Sequence, residues 1–256
     1  MTEPAPPPRS APEDRPRLRL PRVARWFKRL MLAGALLGSG LGIAAGLVIL
    51  TAREPSMSMW PTLRVGERLF ANRLAAPPER GGIVVFRYPE DPGQSFVKRI
   101  VGLPGDVIAV THGELSINGW TVPRCVVGKA SYADAGATGD SGSKHEGTLA
   151  VEWLGAATYL VFDEKTPLGA TGEGRSWPVE AGHYFVLGDN RNSSHDSRTW
   201  FGGAGAGVPF ASTRGRVRGH EAPQIPAGVE GAGELAAALT GCLARRPAGT
   251  TPPPPR

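Results

Sequence analysis

Cysteine is nearly absent from this 256-residue chain, which has only Cys125 and Cys242. There is no Cys-x-x-Cys spacing, and the five histidines are scattered, so the sequence offers no metal-ligand set. The two distant cysteines leave two states open, a disulfide in an oxidising compartment or two free thiols. No motif repeats with a period of about 20–50 residues, which excludes solenoids and propellers.

A charged patch on the main part of the chain is also missing. The net charge is +6, but residues 1–30 hold eight Lys or Arg against three Asp or Glu, and the rest holds 21 against 20. The basic excess is therefore a property of a Pro- and Arg-rich N-terminal tail that cannot form a core. This distribution argues against a nucleic-acid-binding protein and for a membrane topology signal.

Long apolar runs are limited to one, the 22 uncharged residues 31–52. At 1.5 Å per residue this run spans the roughly 30 Å hydrocarbon layer of a bilayer. The alternative is a cleaved signal peptide, whose apolar core is about 7–15 residues and precedes an Ala-x-Ala site. Leu50-Thr51-Ala52 fits that site poorly. We therefore expect an uncleaved, single-pass helix that keeps residues 1–30 in the cytoplasm and places the chain after Arg53 outside it.

Glycine recurs every four residues within this run, at Gly34, Gly38, Gly42 and Gly46. Such a small-residue stripe lets membrane helices approach closely, which predicts self-association or contact with a partner helix. The alternative is that glycine is simply common in membrane helices.

The remainder, with its 35 Gly and 25 Pro over the whole chain, favours short strands and turns. We expect strands at 67–73, 83–87, 96–102, 106–110, 114–117, 120–122, 151–154, 158–163, 183–187 and 214–218. Asn118-Gly119 is a strong two-residue hairpin turn. Residues 124–148 are interpreted as a polar loop, and a short helix is expected around 235–243. The predicted fold is mainly β: an antiparallel β domain at 53–222 with a smaller β cap inserted at about 111–182, and an Ala/Gly/Pro-rich tail at 223–256.

Two serines stand out just after the apolar run, Ser56 and Ser58 within Pro55-Ser-Met-Ser-Met-Trp-Pro-Thr-Leu63. In an extended segment residues i and i+2 point to the same side, so both hydroxyls can face one point. Pro55 and Pro61 restrict the backbone and disfavour a helix interior. A serine near a stiff turn is a candidate nucleophile, although most serines in such a context serve turns or caps.

A lysine in an apolar strand supplies a candidate base. In the strand that contains Phe96, Lys98 and Ile100, these three side chains share one face. A desolvated lysine can lose its proton and then activate a serine hydroxyl, whereas arginine cannot. The alternative is an edge strand from which the cation reaches water through its long stem.

These segments, together with the polar loop Gly188-Asp-Asn-Arg-Asn-Ser-Ser-His-Asp-Ser-Arg198, resemble the bacterial type I signal peptidases, a family of membrane-anchored Ser/Lys proteases. The shared motifs are Pro-Ser-x-Ser-Met-x-Pro-Thr-Leu at 55–63, Ile-Val-Val-Phe-x-Tyr-Pro at 83–89, Val-Lys-Arg-Ile-Val-Gly-Leu-Pro-Gly-Asp at 97–106, and Gly-Asp-Asn-Arg with Asp-Ser-Arg at 188–198. Their order and spacing match over nearly all of residues 53–219.

The resemblance implies a role for each of six residues. Ser58 is expected to be the nucleophile, Lys98 its general base, and Ser56 an oxyanion-hole donor beside the Ser58 backbone N–H. Ser194 is expected to orient Lys98. Asp196 and Arg198 are expected to brace the site as an ion pair.

The resemblance also implies the reaction, cleavage of signal peptides from exported preproteins after an Ala-x-Ala-like site, without metal or organic cofactor. The implied partners are preprotein signal peptides, the lipid bilayer and the secretion translocon, and no nucleic acid. Met57, Met59, Trp60 and Phe70 are expected either to enter the bilayer or to line substrate pockets.

Three departures from the family pattern affect the rim of the site. Gly82 stands where the family usually has Asp, Asn192-Ser193 where it often has Asp-Asn, and residues 201–207 carry extra small residues. An inactive membrane-anchored relative that binds preproteins or translocon components therefore remains an alternative. A self-cleaving repressor-type Ser/Lys protease would need a DNA-binding head, and the membrane anchor argues against it.

Overall fold

A computed structural model describes residues 49–73, 79–111, 113–133, 143–165, 174–220 and 222–255, together with residues 26, 30–32 and 34. The chain divides into two units, residues 1–45 and residues 46–256. In the first unit the five described residues are helical and exposed. Most of the predicted tail and of the predicted membrane helix, including Gly38, Gly42 and Gly46, lies outside the described residues. No helix within the described part is both long and apolar enough to cross a membrane.

The second unit is built mainly from antiparallel strands, as the alternating patterns predict. In chain order its described strands are β1 Ile49–Arg53, β2 Arg68–Asn72, β3 Ile83–Arg87, β4 Ser95–Gly102, β5 Val107–Thr111, β6 Glu114–Ile117, β7 Trp120–Thr121, β8 Arg124–Ala133, β9 Lys144–Leu154, β10 Ala157–Glu164, β11 Arg175–Pro178, β12 His183–Leu187, β13 Val208–Pro209 and β14 Thr213–Val217.

A seven-stranded sheet in the order β1-β2-β14-β3-β4-β12-β13 carries the candidate site. Strand β4 lies between β3 and β12, so its residues are desolvated on both edges. Apolar side chains cover both faces: Met59, Leu63 and Val97 lie in one cluster, and Ile100 and Trp200 lie in another. This placement makes the middle of β4 one of the driest positions of the sheet.

The predicted end of the membrane helix is wrong. Residues 49–52 form β1 and pair with β2, with Ile49 opposite Asn72 and Ala52 opposite Leu69. Leu50 and Ala52 are partly buried against the core while Ile49 and Thr51 are exposed. This two-residue alternation, with β-branched side chains at two of the four positions, suits a strand better than a helix.

Two smaller sheets lie between β4 and β12 in the chain, with the orders β11-β5-β6-β7 and β10-β9-β8. The inserted region thus includes β5 and begins a few residues before the predicted residue 111. The expected loop at 124–148 is wrong, because β8 and β9 occupy most of it and pair from Arg124–Glu152 to Ala133–Lys144. The Asn118-Gly119 turn is confirmed, since both residues have the positive φ values of such turns (55° and 79°).

The C-terminal segment is not a loose tail. Its helix α1, Ala232–Ala244, buries Leu235, Leu239 and Cys242, as the expected short helix around 235–243 predicts. Cys242 is bonded to Cys125 at the start of β8. Beyond the helix, the Thr250 carbonyl accepts a hydrogen bond of 2.7 Å from the Gly155 N–H. The segment therefore closes over the β8–β10 sheet.

Candidate active site

Ser56 and Ser58 lie at the start of a short turn rather than in the expected extended segment. Ser56 is extended, and a 3-10 turn then covers Met57–Met59. The Ser58 N–H points to Ser56 Oγ at 3.4 Å, so Ser56 acts as an N-cap and bends the chain. The two hydroxyl oxygens nevertheless lie 3.0 Å apart. The predicted convergence of the two hydroxyls is correct, but the extended backbone predicted for the segment is wrong.

Lys98 meets Ser58 directly. Its Nζ lies 2.6 Å from Ser58 Oγ and 3.1 Å from the Val97 carbonyl oxygen, and the residue is 4% exposed. It also lies 5.3 Å from the centroid of the Phe96 ring. Burial lowers the pKa of the Lys98 amine, and the nearby carboxylates of Glu54, Asp196 and Asp189 oppose this shift without cancelling it. A neutral amine is therefore accessible at lower pH than for a free lysine.

Glu54 adds a buried carboxylate to which no role could be assigned from the sequence. Its Oε1 accepts hydrogen bonds from Ser56 Oγ at 2.8 Å and from the Ser56 N–H at 3.1 Å, and the residue is 1% exposed. Burial raises the pKa of Glu54, and Lys98 opposes the rise. A hydroxyl has one proton, so Ser56 can donate to Glu54 or toward Ser58 but not to both at once.

The polar loop after β12 holds Ser58 through the backbone. The Asn190 N–H donates to the Ser58 carbonyl at 3.1 Å. A Cβ on Gly188 would lie 2.4 Å from the same carbonyl oxygen and 2.2 Å from Ser194 Oγ. Only glycine allows the loop to approach the Ser58 backbone this closely.

Asp196 and Arg198 form a buried, two-pronged ion pair, with both N···O distances at 2.9 Å. Asp196 also accepts a hydrogen bond from the Gly188 N–H at 3.0 Å. Burial alone would raise the pKa of Asp196, but the Arg198 guanidinium outweighs burial and holds it below its ordinary value. The pair thus fixes the loop beside the Ser58 carbonyl.

The expected hydrogen bond from Ser194 to Lys98 is absent. Ser194 Oγ is buried and has no hydrogen bond of ordinary geometry with the described residues, but it lies close enough to the Asp196 carboxylate to help lower the pKa of Asp196. It lies close to Gly188, on the loop that approaches Ser58. In this structure the loop brings Ser194 near the nucleophile's backbone without orienting the amine.

A second ion pair, which the sequence did not assign, connects the strand of Lys98 to the same loop. The Arg99 guanidinium binds Asp189 through Nε at 2.7 Å and Nη2 at 2.5 Å and donates to the Gly81 carbonyl at 2.6 Å. Thr62 also donates to Asp189. Arg99 therefore joins β4, the polar loop and the end of the serine segment.

A third buried pair ties the polar loop to the inserted sheets. Arg191 donates to Glu152 of β9 at 2.8 and 2.5 Å. These arginines and carboxylates all lie within the motifs or predicted strands of the sequence analysis. The many opposite charges in the polar loop could have indicated that ion pairs form there. What the sequence could not provide is the pairing, because each partner comes from a different part of the chain.

The apolar residues beside Ser58 do not all face outward. Met59 and Trp60 are 0% and 3% exposed, and Trp60 packs at 4.6 Å from the Phe162 ring, so neither can enter a bilayer. Met57 is partly buried, and Phe70 is 60% exposed.

The residues that depart from the family pattern contact other parts of the structure and not Ser58 or Lys98. The Gly82 carbonyl accepts from the Ile100 N–H at 2.8 Å. Asn192 and Ser193 both bind Glu164 of β10. In the 201–207 segment the Ala204 carbonyl accepts from Trp177 Nε1 at 3.1 Å. These residues brace the rim of the site.

Within the described residues no cluster of three or more His, Cys, Asp or Glu side chains is arranged to hold a metal ion. The chemistry that this arrangement supports is proton transfer from a serine to a lysine, with a second serine and backbone donors nearby.

Comparison with known proteins gives matches to one family. A model of that family, described as signal peptidase, peptidase S26, matches residues 23–219. A signal peptidase I of Pseudomonas aeruginosa is 37% identical over 162 residues, which cover 57% of this chain and 53% of that protein. A signal peptidase I of Leptolyngbya laminosa is 30% identical over 177 residues, 64% of this chain and 68% of the other. A solved signal peptidase I from Enterococcus faecalis is 27% identical, covering 56% of this chain and 98% of that one, at a TM-score of 0.31.

The matches to Pseudomonas and Rickettsia proteins span only about half of those relatives' length. The family model, in contrast, covers most of this chain, including Ser56, Ser58, Lys98 and the polar loop. On that extent of agreement, the chain belongs to the signal peptidase family, peptidase S26.

Proposed function

We propose that this protein is a serine endopeptidase that removes N-terminal signal peptides from exported preproteins, with Ser58 and Lys98 as its catalytic pair. The observation that carries the proposal is the 2.6 Å contact between Lys98 Nζ and Ser58 Oγ inside the protein. An exposed surface pair would leave the amine protonated, but this lysine is buried and its pKa is lowered. Family membership fits the same reaction.

In the proposed reaction the neutral Lys98 amine takes the proton of Ser58 as Ser58 Oγ attacks the scissile carbonyl carbon. The resulting oxyanion lies near the Ser58 N–H and the Ser56 hydroxyl, whose single proton turns toward it. Lys98 then gives the proton to the leaving amine. A water molecule, deprotonated in turn by Lys98, hydrolyses the acyl-enzyme.

We propose further that the substrate carries small side chains at the first and third positions before the cut. The bilayer would be reached through the apolar run that precedes β1, with a cytoplasmic N-terminus and the catalytic domain outside a bacterial plasma membrane. The secretion translocon is a further proposed partner, and so is a second membrane helix that packs against the glycines of residues 31–52. The charge asymmetry around residues 31–52 supports the topology, and the glycine spacing supports the helix contact. The substrate preference and the translocon follow from the family resemblance.

The test is cleavage of a signal-peptide substrate by the full-length chain in detergent, monitored by mass spectrometry of both products. We expect cutting after Ala-x-Ala, loss of activity in Ser58→Ala, and a decrease of about 10²–10³ in Ser56→Ala, the usual effect of removing one oxyanion donor. Ser131→Ala is a matched control, because Ser131 is remote and binds Glu230.

Absence of cleavage by a folded wild-type chain that still binds the peptide would favour the alternative, an inactive preprotein-binding relative. Full activity of a folded Ser58→Ala variant would contradict the assignment of the nucleophile.

A further inference from the structure

The carboxylates around Lys98 differ in one respect. Asp189 and Asp196 are each held by an arginine, Arg99 and Arg198. Glu54 forms no ion pair within 4.0 Å among the described residues, and its Oε2 is buried without a hydrogen-bond partner. It is also the carboxylate with the largest effect on Lys98. Glu54 is thus the one of the three whose negative charge is not already neutralised by an arginine.

Glu54 is linked directly to Ser56, whose hydroxyl oxygen lies 3.0 Å from that of Ser58. It lies two residues before Ser56, and its Oε1 binds the Ser56 hydroxyl and N–H. Its backbone is fixed as well, since the Glu54 N–H donates to the Glu67 carbonyl at 3.1 Å and the Glu54 carbonyl accepts from Gly66 N–H at 2.8 Å. The carboxylate is therefore held rigidly at the serine segment.

We propose that Glu54 is a positioning residue of this site, which holds Ser56 through its N–H and, until the hydroxyl proton turns to the oxyanion, through its hydroxyl, and which supplies the counter-charge for the ammonium that forms on Lys98 when it takes the Ser58 proton. The proposal rests on the function proposed above. No bond to substrate is made by Glu54; it acts through Ser56 and Lys98. A buried ammonium without a nearby anion is unfavourable, so this carboxylate makes Lys98 a stronger base than burial alone would leave it.

The consequence for pH follows from the signs of the charges. An anion beside Lys98 raises its pKa, and burial lowers it. Removing the anion leaves burial, Asp189 and Asp196 with their arginines, so the pKa of Lys98 falls further. Glu54 itself faces Lys98 and, at longer range, Glu67. The acidic limb of the activity profile reports Lys98 deprotonation and should move to lower pH when Glu54 loses its charge.

The experiment compares kcat/KM against pH for the wild type, Glu54→Gln and Glu54→Leu in the full-length chain. Glutamine keeps a hydrogen-bond acceptor for Ser56 and removes the charge, whereas leucine removes both. We expect the acidic limb to move down by about one pH unit in both variants, the lower end of the effect of a neighbouring charge. The plateau kcat should fall, further in Glu54→Leu than in Glu54→Gln.

Glu67→Gln is the matched control. Glu67 is also close to the serine segment, but its partners are the Arg64 N–H at 2.9 Å and His220 at 3.6 Å. In this variant the acidic limb of the kcat/KM profile should stay at the wild-type pH. A Glu54→Gln enzyme whose activity falls equally at every pH, with an unmoved limb, would overturn the proposal and indicate a purely structural role.

A readout without catalysis separates this proposal from the proposed function. The chain has five lysines, so lysine labelled with ¹³C at Cε gives few NMR signals, and Lys98→Arg identifies that of Lys98. The titration midpoint of Lys98 should be lower in Glu54→Gln than in wild type, whether or not peptide is cut. A lowered midpoint without cleavage would leave the Lys98–Glu54 coupling intact and refute only the protease; an unchanged midpoint would refute the coupling even in an active enzyme.

Discussion

Gly188→Ala tests whether the polar loop sets the position of the nucleophile. The added Cβ would lie 2.4 Å from the Ser58 carbonyl oxygen, where ordinary van der Waals contact begins at 3.4 Å. Ser194 Oγ, at 2.2 Å, can rotate away, but Ser194 Cβ, at 2.5 Å, moves only with its backbone. The Ser58 carbonyl is itself backbone and is held by the Asn190 N–H. To remove this clash, the polar loop or the serine segment has to move by about 1 Å. A displacement of that size can lower the rate by about 10²-fold.

The assay is kcat on a signal-peptide substrate, together with thermal unfolding to show that the variant is folded. Gly241→Ala is the control, since a Cβ there meets nothing closer than 3.9 Å and a helical Gly→Ala change should stabilise by roughly 0.5–1 kcal/mol. Adding Ser194→Gly to Gly188→Ala removes both contacts with Ser194 and should not restore the rate. Wild-type kcat in a folded Gly188→Ala variant would refute the argument, and rescue by Ser194→Gly would move the cause from Ser58 to Ser194.

Two further predictions concern stability. Asp189→Asn leaves Arg99 buried without its anion and should lower the free energy of unfolding by about 3–5 kcal/mol, measured by urea denaturation; a loss below 1 kcal/mol would show that the pair is not a brace. The double variant Cys125→Ser/Cys242→Ser opens a link between residues 117 apart and should cost about 2–4 kcal/mol, whereas an identical urea midpoint for wild type with and without reductant would contradict a formed disulfide.

The sequence predicts elements well where pattern and turn chemistry agree locally. Strands 83–87, 114–117 and 183–187 have the predicted bounds, because apolar runs or alternation end at Gly, Pro or Asn residues. The 124–148 segment fails because its strands are rich in small and polar residues, and only pairing with each other and with β10 makes them strands. Residues 49–52 suit both the end of a membrane helix and a half-buried strand in their hydropathy, so hydropathy alone could not distinguish a helix end from β1.

The residues of the candidate site also differ in how well the sequence predicts them. Ser58 and Lys98 are identifiable from motifs that place a hydroxyl and a strand lysine in a known order. The charged partners behind them are not, because the pairing of Arg99 with Asp189 joins residues 90 positions apart. Glu54 precedes a proline and reads as an ordinary flanking charge, and only its burial beside Ser56 distinguishes it.

The most direct test of the proposed Ser58–Lys98 chemistry is kcat/KM against pH for the wild type, with Lys98→Arg assayed beside it. Because burial lowers the pKa of Lys98, the base is lost as pH falls through this lowered value and is retained at mildly alkaline pH. We predict a wild-type acidic limb below the ordinary lysine pKa of about 10.4, and no cleavage by Lys98→Arg at any pH, since guanidinium keeps its proton. An active Lys98→Arg enzyme would contradict the account and place the base elsewhere, with His195 the next candidate.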